Sequence, residues 1–392
     1  MPTDLDHAAS TPPRPEARAA LSRWLEAANA SSPHAAGQAA RAVVEDARER
    51  VAAALSTSPH DVVFTSGGTE ADNLAIKGVV WAAARRHGGA SNLGRSGGVP
   101  HLVTTAVEHP AVLAPARWLA DRGEVDLDVV PPRGDGSVDV DRVLAVVRDD
   151  TALVSVMAAN NELGAIDDVP ALAAELRRRA VPLHTDAVQA VATLDVDVAA
   201  WGIDALAISA HKFGGPQGVG VAVLRRGLPV EPLSHGGGQD RGVRSGTFAT
   251  GLIAACAAGL EAAVADRHQL RERLRRLSDR LATGLLGLDG VRRNGPSDPD
   301  RRLASHVHVS FDDVDPVGLA LALDRAGVHA SAGSACGSGA ATASPVLEAC
   351  GVVGTPLRLS LGWPSTEEDV DRALEVLTDV VPRLRSGAAV VG

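Results

Sequence analysis

Val62-Val-Phe-Thr-Ser-Gly-Gly-Thr-Glu-Ala-Asp-Asn73 is the stretch on which the fold turns. A short apolar run stops at a Gly-Gly-Thr turn, and a helical pattern starts at once. Glycines let a backbone approach an anion closely, and a helix N-terminus offers N–H groups and a favourable dipole. Thr69 adds a hydroxyl donor. The spacing is not that of a nucleotide-binding loop. An N-capped helix after a tight turn is the alternative reading of the same residues.

Outward from this stretch the pattern repeats. Apolar runs at 101–105, 125–130, 152–157, 181–185, 205–209 and 220–224 read as strands. Segments at 40–55, 111–121, 139–148 and 169–179 read as helices. Such alternation predicts an α/β fold with a mostly parallel, helix-covered sheet. Beyond Thr247 the pattern changes to a long helical stretch at 251–286, a strand at 306–311, and helices at 316–326 and 366–385. This predicts a smaller α+β domain. The expected division is a large domain over 16–250 and a small one over 1–15 and 251–392. The Gly/Ser-rich segment 85–100 reads as a surface loop.

Composition narrows the chemistry. The chain of 392 residues is 45% hydrophobic and carries a formal net charge of −10, with no basic run. That speaks against nucleic acid as a direct partner. No apolar run has the length of a membrane span, and the N-terminus lacks a signal pattern. The three cysteines, Cys256, Cys336 and Cys350, suit neither a disulfide framework nor a zinc site, so a reducing cytoplasm is expected and no metal. Lys77 and Lys212 are the only lysines.

Lys212 follows a strand in Ala207-Ile-Ser-Ala-His211-Lys212-Phe-Gly-Gly-Pro216, with Ser209 and His211 as donors beside it. Asp186, in His184-Thr185-Asp186-Ala-Val-Gln189, ends another strand, where α/β proteins bind ligands. Pyridoxal phosphate (PLP) needs such a set: an amine for a Schiff base, an acid against the pyridine nitrogen, and donors for the phosphate. His109 could stack on the ring or simply cap a helix. Asn161 could bond the cofactor's ring oxygen or a substrate. His235-Gly-Gly-Gly-Gln-Asp-Arg-Gly-Val-Arg-Ser-Gly-Thr247 is a second donor-rich segment.

At these motifs the chain resembles the cysteine desulfurases of the IscS/NifS type, in the class V aminotransferase group of fold-type I PLP enzymes. The likeness runs from Leu5-Asp6-His7-Ala8-Ala9-Ser10-Thr11-Pro12 to Leu357-Arg358-Leu-Ser-Leu-Gly362. It implies Lys212 as the Schiff-base lysine, Asp186 as the pyridinium partner and Gln189 as a contact to the ring oxygen. His109 becomes the stacked residue, and Gly68, Thr69, Ser209 and His211 the phosphate site. Thr247 becomes a phosphate ligand given by the other subunit of a homodimer. Asn161 and Arg358 would hold the substrate carboxylate, for which an arginine fork is well shaped.

Cys336, in Ser331-Ala-Gly-Ser-Ala-Cys336-Gly-Ser-Gly-Ala, matches the catalytic cysteine of the family. The implied reaction removes sulfur from L-cysteine, leaving L-alanine and a persulfide on Cys336 for a sulfur-acceptor protein. Lys212 would take the α-proton, and His109 would shuttle protons. Cys256 and Cys350 read as core residues. Longer relatives end in a tail that docks an iron–sulfur scaffold, which the residues after the last helix here do not resemble. Selenocysteine lyase, another class V PLP enzyme, and a non-catalytic scaffold retaining the fold are the alternatives.

Overall fold

The computed structural model describes residues 2–86, 99–331 and 344–387. A seven-stranded sheet holds the centre. Its spatial order is Val62–Thr65, Gly220–Leu224, Ala205–Ser209, Leu183–Asp186, Thr151–Ser155, His101–Thr105 and Asp126–Val130. The last five are mutually parallel, and Gly220–Leu224 runs antiparallel to both its neighbours. Parallel neighbours need crossovers, and the helices in the intervening sequence supply them. Helices on the sheet faces leave strands Val62–Thr65, His101–Thr105, Ala205–Ser209 and Gly220–Leu224 buried throughout, so their sequences show no polar–apolar alternation.

The same geometry collects the chemistry. Residues that follow Thr65, Thr105, Ser155, Asp186 and Ser209 all leave the sheet at its carboxyl edge. Open α/β sheets bind ligands there.

A second sheet is antiparallel, in the order Thr355–Ser360, His306–Phe311, Val291–Arg293. Helices Pro316–Arg325 and Glu367–Arg385 close its core with Leu319, Leu323, Val370, Leu377 and Val381. The chain's start joins this half: Thr3–Asp4 pairs in parallel with Val328–His329, and Asp6 bridges to Ser360.

One helix of 37 residues, Thr250–Leu286, serves both cores. Ile253, Cys256, Leu260 and Ala263 face the larger one, and Leu270, Leu274, Leu277, Leu281 and Leu285 the smaller. Steps of three and four keep each set on one stripe. Between the two stripes Asp266 receives both Nη atoms of the buried Arg14, at 2.9 and 3.1 Å.

Some element boundaries differ from expectation, each for a local reason. The strand expected over 181–185 is Leu183–Asp186, because Pro182 lacks a donor and Ala180 turns through a positive φ of 56°. The strand expected to reach residue 157 ends at Ser155, and the Met157 N–H donates instead to the Glu108 carboxylate at 2.8 Å. The helix expected over 139–148 is only Val140–Val146, with Asp139 as its cap. Arg85 and Arg86 belong to helix Gly68–Arg86 and not to the loop expected at 85–100, of which residues 87–98 lie outside those described. Among the described residues no helix is long and apolar enough to cross a membrane.

Candidate active site

The Gly-Gly-Thr turn joins strand Val62–Thr65 to helix Gly68–Arg86, whose first residue is Gly68. Thr65 Oγ1 donates to the Gly67 carbonyl at 2.9 Å, and the Ser66 N–H donates to Glu70 Oε2 at 2.6 Å. The turn is thus held from both sides, with the helix N-terminus left facing a cleft. A Cβ on Gly68 would meet Val188 Cγ2 at 3.0 Å and Ser209 Cβ at 3.4 Å, so a larger residue would have to push both side chains aside. Ser209 ends its strand and is buried. His211 follows in a short 3-10 turn, its Nδ1 3.2 Å from Ser10 Oγ. Burial, and then the neighbouring Lys212, pull its pKa down to about 4, so the imidazole is neutral at pH 7.

Lys212 Nζ donates to the carbonyls of Ala8 at 2.5 Å and Ala9 at 2.9 Å. Gln189 Nε2 shares the Ala8 carbonyl at 2.9 Å. The N-terminal segment therefore crosses the cleft directly over the lysine. Asp186, 4% exposed, closes its strand and accepts from the Val188 N–H at 2.8 Å. Burial raises its pKa, while His109 and Lys212 pull it back. His109 both caps helix Pro110–Asp121, accepting from the Ala111 N–H on Nδ1 at 3.1 Å, and lines the cleft. Burial lowers the pKa of this imidazole. His109 thus serves as a helix cap and as part of the cleft wall at once.

The opposite wall comes from the smaller sheet. Arg358, 4% exposed, reaches across and donates from Nη1 to the Asn161 carbonyl at 2.9 Å. Its Nε and the Asn161 Oδ1 are buried with no acceptor or donor among the described residues. Buried polar atoms without partners are costly, and here both belong to residues lining the same cleft.

Gly68, Thr69, His109, Asn161, Asp186, Gln189, Ser209, His211, Lys212 and Arg358 thus line one cleft of about 250 Å3. Thr247 does not line it and is exposed. Cys336 lies outside the described residues. Cys256 is buried, and Cys350 is half-buried against the larger core. A groove of about 700 Å3 lies elsewhere, at the amino ends of strands Leu183–Asp186 and Ala205–Ser209, away from these groups.

Sequence reasoning gave no role to a buried layer behind Asp186. Asp72 Oδ1 lies 3.4 Å from His184 Nε2, and His184 Nδ1 pairs with Ser155 Oγ at 2.9 Å. Glu108 accepts from Thr105 Oγ1 at 3.0 Å as well as from the Met157 N–H. Burial foremost pushes the Asp72 and Glu108 carboxyls well up and the His184 imidazole down to about 3. Neighbouring cations draw down only Asp186 of these three acids. Strand alternation puts His184 on the side of Asp186, the one sequence signal for this layer.

The Aminotransferase class-V profile matches residues 4–373. The chain belongs to this family. A curated relative, "IscS-like cysteine desulfurase" of Mycobacterium tuberculosis, is 44% identical and aligns with 98% of this chain and 97% of its own. "Cysteine desulfurase IscS" of Methanosarcina thermophila is 38% identical over 97% of this chain and 92% of its own. Among solved structures, a "NIFS-LIKE PROTEIN" superposes with a TM-score of 0.88 at 31% identity, covering 98% of this chain and 100% of that one. DndA from Streptomyces lividans gives 0.75 at 35% identity, over 90% of this chain and 97% of that one. The fold-type I architecture expected of the class V group is the one observed, and the relatives place the chain among the cysteine desulfurase homologues of that family.

Proposed function

We propose that the chain is a PLP-dependent cysteine desulfurase. The observation that carries this is the meeting of Lys212, Asp186 and Arg358 in one cleft. The residues fit the cofactor: a glycine-lined helix N-terminus with Thr69, Ser209 and His211 suits a phosphate, and a buried acid suits a pyridinium. When bound, PLP supplies an electrophilic carbon and a ring that accepts electrons from the substrate's α-carbon.

The protein groups then divide the work. Lys212 would hold the cofactor through its amine and would serve as general base for the substrate's α-proton. Asp186 would pair with the pyridine nitrogen, and Gln189 would hold the ring oxygen. His109, whose pKa burial lowers, would stack on the ring and relay protons. Arg358 and Asn161 hold the carboxylate of L-cysteine. The Cys336 thiolate attacks the substrate sulfur: an S–S bond forms, the Cβ–S bond breaks, and carbon keeps the electron pair and gains a proton. The balance is L-cysteine plus a thiol giving L-alanine plus a persulfide, which passes to an acceptor protein. The enzyme acts in the cytoplasm as a homodimer, with Thr247 completing the partner's phosphate site. The exposure of Thr247, away from its own cleft, supports that arrangement. The large and small domains follow the division 16–250 against 1–15 and 251–392; the separate cores support it except at residues such as Ile253, Cys256, Leu260, Ala263, Leu303, Val346 and Leu347, which pack into the larger one.

The test is purification with PLP and assay of sulfide and alanine from L-cysteine. Lys212→Ala should lose the visible absorbance of the lysine-bound cofactor. Cys336→Ala should keep that absorbance and lose sulfide release. Wild-type sulfide release by Cys336→Ala would overturn the persulfide route.

A further inference from the structure

We propose that Asp6 is a positioning residue for the carboxylate-binding arm of the site, holding Arg358 by one nitrogen while the Asn161 carbonyl holds a second, so that the remaining N–H donors of the guanidinium are offered to the substrate. The inference rests on the proposed function, in which Arg358 receives the carboxylate of L-cysteine.

Arg358 Nη2 donates to Asp6 Oδ1 at 2.7 Å, and Nη1 to the Asn161 carbonyl at 2.9 Å. Nε is buried and has no acceptor among the described residues. A guanidinium carries five N–H donors in a fixed fork, so two anchors on different nitrogens fix its plane and leave donors for a ligand. Its main chain is also fixed: Arg358 pairs with His308 in the sheet, and its N–H and C=O both bond Ser331, at 2.9 and 3.1 Å. Only the side chain could swing, and Asp6 is the anionic group that stops it.

Asp6 is itself held in place. It bridges to Ser360, and its N–H donates to Asp4 Oδ1 at 3.0 Å. The flanking Leu5 carbonyl accepts from the Ser360 N–H at 2.7 Å, and the Ala8 N–H donates to Ser360 Oγ at 2.8 Å. Two residues on, the same segment meets Lys212 through the Ala8 and Ala9 carbonyls. One short stretch thus sets the position of the carboxylate arm relative to the lysine amine, the two points a substrate amino acid must span. A buried arginine without a counter-charge is unfavourable, and Asp6, 30% exposed at its side chain, supplies that charge without closing the cleft.

The test uses binding rather than turnover. In the Cys336→Ala background, L-cysteine and cysteamine, which lacks the carboxylate, are titrated against the absorbance of the PLP-loaded protein. Asp6→Ala should weaken L-cysteine on the order of tenfold and leave cysteamine unchanged, as expected for loss of a charge-assisted anchor. Asp6→Asn, which keeps an acceptor at the same place, should recover most of the difference. On Arg358→Ala, adding Asp6→Ala should change nothing further. Equal weakening of both ligands, or tighter L-cysteine in Asp6→Ala, overturns the proposal while leaving the proposed function standing. A parent protein that does not favour L-cysteine over cysteamine overturns both. Should Asp6→Ala fold poorly, Asp6→Asn and Asp6→Ser decide: the serine variant should bind L-cysteine less well than the asparagine variant, and the reverse order overturns the proposal.

Discussion

Gly220 and Gly67 pack backbone against backbone: a Cβ on Gly220 would lie 2.5 Å from the Gly67 carbonyl carbon and 2.7 Å from its Cα. Gly220 pairs with Thr65 on one side and Ser209 on the other, so it lies beneath both halves of the proposed phosphate cup. Gly220→Ala must move backbone rather than a side-chain tip. The expected cost is roughly 1–3 kcal/mol of stability, as for overpacking elsewhere. Its weakening of PLP binding should exceed what that loss explains. Thermal unfolding of the apo-protein and a cofactor titration measure the two effects separately.

Asp167 is fully buried, and burial raises its pKa from 3.8 to about 7. Its Oδ1 accepts from the Val138 N–H at 2.7 Å, and Oδ2 has no partner among the described residues. The folded state therefore binds this proton more tightly than the unfolded chain does. The contribution is fully present below about pH 4 and is lost as pH rises through 7. Above that range the loss is on the order of 4 kcal/mol, since each tenfold change in proton affinity is worth about 1.4 kcal/mol. Asp167→Asn cannot ionise and keeps the Val138 acceptor. It should gain stability over the parent progressively between about pH 4 and pH 7 and level off above, read from urea unfolding at several pH values across that range.

Arg48 is buried, with Nη2 at 2.7 Å from Asp240 Oδ1, Nη1 at 2.6 Å from the Val62 carbonyl, and its guanidinium 5.1 Å from the Phe64 ring centre. Asp240 and Arg241 hold positive φ angles of 44° and 62°, a strained pair for non-glycine residues. The ion pair keeps that strain in place and fixes the start of the segment leading to Thr247. Asp240→Ala removes one of the two carboxylates on Arg48, with Glu45 still 3.0 Å from Nε, and a loss of about 1.5–3 kcal/mol is expected in denaturant unfolding. Replacing an exposed acid such as Asp46 should cost far less.

Burial pushes the thiols of Cys256 and Cys350 up to about 12 and 11. Both are protonated at neutral pH and are poor nucleophiles. Iodoacetamide at pH 7.5 on the native protein should therefore label Cys336 first, as peptide mass spectrometry would show. Early labelling of Cys350 would contradict the burial described for it.

The carboxyl edge of the sheet was legible because its residues follow strands directly. Gly68, Asp186, Ser209 and Lys212 each sit at or just past the end of an apolar run, and glycine leaves a visible mark there. Arg358 was legible only through the family resemblance, since an arginine inside a strand of the smaller sheet has no local signature. Asp6, Asp72, Glu108 and His184 carried no assigned role, because charged residues ordinarily sit on surfaces. Their burial depends on contacts far off in sequence, such as the one joining Asp6 to Arg358 across 352 positions. Pro182 and the Glu108–Met157 bond moved strand ends for the same reason: a partner outside the run decided where pairing stopped.

That separation has a consequence for biosynthesis. At roughly 5–20 residues per second, Arg358 leaves the ribosome's catalytic centre some 20–70 s after Asp6. Late in that interval, once Lys212 has been made, the nascent chain can hold Asp186 and Lys212 in a formed sheet while the arm that recognises an amino acid's carboxylate does not yet exist. Stalled chains ending near residue 350 should therefore capture PLP but not distinguish L-cysteine from cysteamine. Cofactor loading can begin on the ribosome, whereas substrate selection must wait until the chain's two ends have met.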